Sequence, residues 1–401
     1  MNITKRDGRI VKHNPHRIFT ACINAGASKE SAQWVLNNVS PHIVDGHHVE
    51  HIQDLVEMSL MIFDPIAAKR FIIYRDEHNK KRGIEPDPDM LSDYILHSKY
   101  ANTGEEWQDV VNRNIQMHVI KYPTLRSEIH NTYTDFVLTK KVLPSMRSLQ
   151  FAGAGIEKHN SRMYNCSFSH CNRLKFFSEC LYLLLSGCGV GYSVQRRHTD
   201  QLPSFPRIAK RVVIHHRVQD TIEGWADAVF ALMDLAAKGF YCEFIYDKIR
   251  PEGSSISSGG KAPGHVPLKV CLESIRERLV GQLRPIDWHD ITCIIAEAVL
   301  SGGIRRSSLL SLFDNDDYDM MNAKTGDWYK EHPYRAMANN SAVFLRRDMC
   351  APSFYRLFDS TKEFGEPGFF FTDDKDRGTN PCGEIGLDPP KNGFQFCNLT
   401  E

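Results

Sequence analysis

At 401 residues the chain can bury a large core and should hold about two to four domains. Its 49 basic and 49 acidic side chains cancel, which excludes a global pull toward nucleic acid or a membrane surface but leaves room for a local phosphate site. The 11 cysteines are odd in number and scattered, Lys5, Arg6 and Asp7 come too early for an apolar targeting segment, and no apolar run reaches the ~18 residues of a membrane helix. These features predict a reducing, cytoplasmic setting with most thiols free.

In chain order, Ile3 to Lys12 reads as two short strands around an Asp7-Gly8 turn. Asn14-Pro15 is a helix start, a cap followed by proline in the first turn. Ile18, Phe19, Cys22 and Ile23 then recur at helical spacing, and three more helices are expected at about 28–39, 48–62 and 64–82. Lys5, Arg6 and Lys12 can neutralise phosphates, or can be a solvated basic turn on a small helical domain. His47-His48-Val49-Glu50-His51 fits an inverted zinc-protease spelling, but no third ligand is identifiable and surface histidines at a helix start explain it as well, so no metal site is assigned. Residues 83–90 read as an acidic, proline-bearing linker, and 91–142 as helical again.

From Leu143 the texture changes to strands alternating with helices, which implies parallel strands and crossovers. Strands are expected at 162–168, 190–194 and 240–246, and helices at 176–186, 219–238, 285–300 and 351–363. The Gly187-Cys188-Gly189-Val190-Gly191 run follows a helix and enters a strand, the wrong order for a dinucleotide fingerprint. His170 and Cys171 could suggest a metal, but no second pair completes a four-ligand set. The acidic stretch 314–319 reads as solvated.

The chemistry concentrates near the end. In Asn380-Pro381-Cys382-Gly383-Glu384, proline and glycine hold one cysteine at a loop tip. In extended chain, Asn380 and Glu384 would share its face, so thiol, carboxylate and amide would converge on one small substrate. Cys397 follows in Phe396-Cys397-Asn398-Leu399-Thr400-Glu401. Cys166, taken alone, is most simply a buried small hydrophobe.

These motifs, in this order, resemble the ribonucleotide reductases, and the spelling is most similar to the adenosylcobalamin-dependent class (class II). The resemblance implies an α/β chain: an ATP-cone-like regulatory domain (1–90), a helical region (91–142), and the first half of a ten-stranded α/β barrel with its finger loop (143–401). The glycine-rich run at 187–191 resembles the barrel motif in which small residues let backbones pack closely. The implied activity is thiyl-radical reduction of ribonucleoside di- or triphosphates to 2′-deoxyribonucleotides. Cys382 would carry the radical, Glu384 would take the 3′-hydroxyl proton, Asn380 would orient the substrate, and Cys166 with Cys397 would supply two electrons. Ser145 and Arg147 would contact substrate. Asp220, Thr221, Arg250, Lys261, Gly303, Arg305 and Arg306 would form the effector specificity site, and Lys5, Arg6 and Lys12 the cone's nucleotide site.

The implied cofactor is adenosylcobalamin, with ATP and deoxynucleotide effectors; the implied partners are the ribonucleotide substrate and a thioredoxin- or glutaredoxin-type reductant, with no membrane and no direct nucleic acid binding. In the family the substrate phosphate loop, most cobalamin contacts and the shuttle cysteines follow the point where Glu401 stands, so a split or interrupted reductase acting with a missing C-terminal half is expected. The competing readings are the large subunit of a di-iron-dependent reductase and a non-catalytic nucleotide-binding fragment.

Overall fold

The computed structural model describes residues 1–6, 8–81, 88–102, 104–207, 212–254, 261–300 and 308–400, with the side chains of 79–81, 88–91, 98 and 99 left aside. Two compact units result, Met1–Ile95 and Leu96–Glu401.

In the first unit, β1 (Asn2–Thr4) pairs antiparallel with β2 (Ile10–Lys12), as the turn signal predicts. Four helices follow, His16–Asn24, Lys29–Val39, Val49–Phe63 and Pro65–Lys81, close to the expected ranges. The side chain of Asn14 accepts from the backbone N–H of His16 at 3.0 Å, and Ser28 caps the second helix through Ser31 N–H at 3.0 Å. The apolar faces close on one core that includes Ile18, Cys22, Val35, Ile52, Val56, Leu60 and Phe71.

The second unit is built on β3 (Cys166–His170), β4 (Gly189–Ser193), β5 (Val213–Arg217), β6 (Tyr241–Ile245), β7 (Leu309–Asp314), β8 (Ala338–Leu345), β9 (Gly368–Thr372), β10 (Gly378–Thr379), β11 (Gly386–Leu387) and β12 (Gln395–Cys397). Among the described residues one sheet has six strands in the order β12-β3-β4-β7-β8-β9, parallel throughout except that β12 runs antiparallel to β3. The strand expected at 162–168 begins only at Cys166, because Asn160–Met163 forms a 3-10 turn. The strand expected at 240–246 joins no barrel sheet: β6 pairs in parallel with β5 in a separate two-stranded sheet. What stands where half of a ten-stranded barrel was expected is therefore a six-stranded, mostly parallel sheet.

Alternation along the strands separates two faces. Val190, Tyr192, Leu309, Phe313, Ala342 and Phe344 enter the main core, with the helices Lys175–Leu185, Ile222–Ala237, Val266–Arg278 and Pro285–Leu300. Cys166, Phe168, Leu310, Leu312 and Val343 point the other way, where Leu387 and Cys397 join them. No described helix is long and apolar enough to cross a membrane.

The helix Pro285–Leu300 is clamped by a buried ion pair. Arg335 donates to both carboxylate oxygens of Asp290, at 2.7 and 2.9 Å, and the Tyr334 hydroxyl adds a third bond at 3.0 Å. The acidic stretch is only partly solvated: Asp317 is buried and caps Tyr318–Met321 through Met320 N–H at 3.0 Å, while Asp314 and Asp316 engage Arg196. Removing one member of a buried pair leaves the other charge uncompensated. Asp290→Ala should therefore cost about 3–5 kcal/mol in urea unfolding; a loss below about 1 kcal/mol would mean that water already solvates the pair.

Candidate active site

The finger loop is a hairpin, not an extended strand. β10 and β11 pair antiparallel, with Thr379 opposite Gly386, and Pro381-Cys382-Gly383 form the connecting turn. Gly383 takes φ +83°, a left-handed conformation that glycine adopts without strain, and its N–H closes the turn on the Asn380 carbonyl at 3.0 Å. The expected alternation of side chains around Cys382 does not apply in this turn. Glu384 instead reaches its neighbour by folding back: Asn380 Nδ2 donates to Glu384 Oε1 at 2.8 Å.

Asn380 is fully buried and organises the loop. Its Oδ1 accepts from Ile385 N–H at 3.1 Å and from the Thr379 hydroxyl at 3.2 Å, and the Cys166 thiol is a neighbour. The hairpin lies against β3 and β4 because glycine lets it. A Cβ on Gly191 would overlap the Thr379 carbonyl, and one on Gly378 would overlap the Phe168 ring. Gly189 faces Pro381 less tightly: a Cβ there would lie 3.1 Å from Pro381 Cγ, a crowded contact. The close backbone packing expected of the 187–191 run is present.

Three thiols meet here at three depths. Cys166 and Cys397 are directly opposed on β3 and β12 and are both buried. Cys382 is exposed at the turn and neighbours Cys166. Burial, with the neighbouring Cys397, pushes the Cys166 thiol up to about 12. Burial raises Cys397 too, and partial burial together with the Glu384 carboxylate raises Cys382. All three are therefore protonated at neutral pH.

Ser145 and Arg147 border this cluster. The Ser145 hydroxyl donates to Asn165 Oδ1 at 3.1 Å, one residue before Cys166. Asn165 Oδ1 also receives Leu399 N–H at 3.5 Å, tying the chain after β12 to β3. The Arg147 guanidinium packs over Gly187, where burial lowers its pKa, and it neighbours Cys166 and Cys188. Thr379 and Asn165 were not singled out by sequence. A threonine beside an Asn-Pro turn is the type that bonds local backbone, and this was the one available signal for it.

The expected effector residues are elsewhere. Arg250 Nε donates to Asp220 Oδ2 at 2.6 Å, and Thr221 caps the helix Ile222–Ala237 by accepting from Gly224 N–H at 2.9 Å. Lys261 is exposed beyond this pair, while Gly303, Arg305 and Arg306 lie outside the described residues. In the first unit a cavity of about 520 Å³ is lined by Arg6, Gln53, Arg70, Tyr74, Arg75 and His78 among others. Arg6 pairs with Glu50, and Arg75 spans Glu50, Asp54 and Glu57 at 2.6, 2.5 and 3.0 Å. Lys5 and Lys12 are not among the residues lining this cavity. His48 caps Val49–Phe63 by accepting from Glu50 N–H at 3.3 Å, and His47 packs edge-on against His51.

Residues 1–80 match the family described as the ATP cone domain. The chain is 28% identical over 387 residues to the adenosylcobalamin-dependent ribonucleoside-triphosphate reductase of Lactobacillus leichmannii, covering 74% of this chain and 51% of that protein. It is 26% identical over 394 residues to the enzyme of the same name from Lactobacillus gasseri, covering 75% and 52%. The fold matches a crystal structure described as a B-12 dependent (class II) ribonucleotide reductase, with TM-score 0.63, 23% identity, and coverage of 73% of this chain and 53% of that one. The resemblance to class II ribonucleotide reductases holds. The chain spans about half the length of the curated relatives it matches.

The thiol environments give a measurable contrast. Cys350 is exposed, and the Ser353 hydroxyl beside it at 3.2 Å lowers its pKa, whereas Cys382 is exposed with a raised one. Thiolate is the reactive form, so near neutral pH Cys350 holds more of it. Iodoacetamide followed by peptide mass spectrometry should label Cys350 faster than Cys382 at pH 7.5, with the ratio shrinking as pH rises. Equal rates at both pH values would contradict the protonated state assigned to Cys382.

Proposed function

We propose that this chain carries the thiyl-radical machinery of a class II ribonucleotide reductase, reducing ribonucleotides to 2′-deoxyribonucleotides for DNA synthesis under nucleotide control. One observation carries the reading: an exposed, protonated thiol stands over a directly opposed pair of buried thiols, with a carboxylate held beside it by a buried amide.

The residues fit the cofactor named in the relatives. Cys382 is the one thiol of the three that is open to solvent and keeps its proton, so it can lose and regain a hydrogen atom. When bound, adenosylcobalamin supplies the one-electron chemistry for that exchange. Cys382 would then take the 3′ hydrogen from the ribose while Glu384 accepts the proton of the 3′-hydroxyl. Asn380 acts chiefly through Glu384, since its amide is committed to that carboxylate and to the loop backbone. Cys166 and Cys397 would deliver two electrons as the 2′-hydroxyl leaves as water, and would close to a disulfide. Opposed residues on antiparallel strands hold their Cβ atoms about 4.5–5.5 Å apart, close to the spacing a disulfide needs. A dithiol reductant of the thioredoxin or glutaredoxin type would reopen it.

Ser145 and Arg147 would border the substrate, and Asp220, Thr221, Arg250 and Lys261 the specificity effector. The cavity holding Arg6, Arg70 and Arg75 would take ATP in the cone, with arginine suited to phosphate. The activity proposed is that of a protein of the relatives' full length, so it would require the half of that length not matched here, in the same chain or in another.

The test is deoxyribonucleotide formation by this chain together with that second half, adenosylcobalamin and a dithiol. Turnover should depend on adenosylcobalamin and fall below detection in Cys382→Ala and in Cys166→Ser, the latter because no thiol pair is left to close to a disulfide. Turnover surviving in Cys382→Ala would sink the assignment. Binding of ATP without any turnover would leave a regulatory nucleotide-binding protein.

A further inference from the structure

We propose that His170, His198 and Asp376 form a site for one divalent transition-metal ion, zinc in its ligand preference, which pins the approach to the finger hairpin onto the ends of β3 and β4. His170 closes β3, His198 lies in the short helix Arg196–Thr199 after β4, and Asp376 lies in the chain between β9 and β10. One ligand atom from each falls within 4.8 Å of the other two. His198 Nε2 is 3.1 Å from Asp376 Oδ1, His170 Nε2 is 2.8 Å from the Asp376 carbonyl oxygen, and the two buried imidazoles stack at 4.1 Å.

The surroundings are those of a ligand set. The far nitrogen of His198, Nδ1, sits 2.9 Å from the Ser193 hydroxyl, so Nε2 is the nitrogen aimed at the carboxylate. Outer partners of this kind fix the orientation of metal-bound histidine. Arg197 donates to Asp376 Oδ2 at 2.9 Å and leaves Oδ1 for the ion. Gln195, 1% exposed, spans the same two segments, donating to the Ser193 hydroxyl at 2.9 Å and to the Lys375 carbonyl at 3.0 Å. Its Oε1 is buried without a hydrogen-bond partner among the described residues, an acceptor left over beside the cluster. Two imidazoles and one carboxylate suit zinc and its neighbours, with a fourth position for water; calcium and magnesium prefer all-oxygen sets. Such an ion would bridge strand ends to a segment about two hundred residues away in sequence, where a cross-link constrains the chain most.

The experiment uses the full chain, stripped with chelator and dialysed against zinc sulfate, with bound zinc counted by plasma mass spectrometry and thermal unfolding followed with and without zinc. Two other places could take zinc, the pair His47 and His51 and the three active-site thiols, so the controls are His47→Ala with His51→Ala, and Cys166→Ser with Cys382→Ser and Cys397→Ser. The expected result is one zinc ion per chain and a zinc-dependent rise in Tm, both kept in the two controls and lost in His198→Ala. Asp376→Asn, a change at a half-exposed carboxylate that the fold should tolerate, should weaken zinc binding at least about tenfold. Unchanged zinc affinity in Asp376→Asn overturns the proposal even if His198→Ala fails to fold. Loss of the ion in the thiol control alone overturns it as well.

Discussion

The arrangement at the catalytic end depends on how closely a hairpin can lie on a sheet. β10 and β11 rest on the face of β3 and β4 that the helices do not cover, and the fit is set by missing side chains. Gly191 passes under the Thr379 carbonyl, Gly378 stands on the Phe168 ring, and Gly189 makes room for Pro381. Phe168 is itself buried and cannot yield. A side chain at Gly191 or Gly378 would lift the hairpin bodily, because the colliding groups are backbone and a packed ring. With the base seated this low, Asn380 and Pro381 are sealed from water and Cys382, Gly383 and Glu384 are the part left exposed.

From that seating follows the role of Asn380. A buried carboxamide has to spend its donors and acceptor inside the protein. Here the acceptor is spent on the loop and a donor on the Glu384 carboxylate, with the Cys166 thiol as a neighbour. One side chain thus stands beside both a group suited to take a proton and a group suited to give electrons. Its position is fixed in turn by the Thr379 hydroxyl, which bonds both Asn380 Oδ1 and the Ile385 carbonyl.

Much of this was legible in the sequence, for identifiable reasons. The helices His16–Asn24, Lys29–Val39 and Val49–Phe63 are amphipathic at the 3.6-residue period, and the first two start at an Asn-Pro and a Ser cap, so their ranges emerge from local signals. β7 and β8 escaped notice because parallel strands buried on both faces lose their alternation: Leu309-Leu310-Ser311-Leu312-Phe313 and Ser341-Ala342-Val343-Phe344 read as plain apolar runs. The face-sharing argument for Cys382 and Glu384 reached the right neighbours by the wrong geometry, since the residues sit in a turn and Glu384 folds back on Asn380. His198 and Asp376 carried no signal at all: a cluster assembled from strand ends far apart in sequence has no spacing to read.

The two kinds of thiol are separated by what holds them. Cys166 and Cys397 are fixed by strand register, so they stay opposed whatever the loop does, and closing or opening a bond between them asks little of the backbone. Cys382 sits in a short turn held by the left-handed Gly383, whose N–H bonds the Asn380 carbonyl, and by the bond from Asn380 to Glu384. Under the proposed chemistry, the projecting turn would let Cys382 meet its partners from the solvent side, and burial would keep Cys166 and Cys397 protonated until substrate arrives. Cys382 and Cys166 are neighbours because the glycines let the hairpin sit close on β3 and β4.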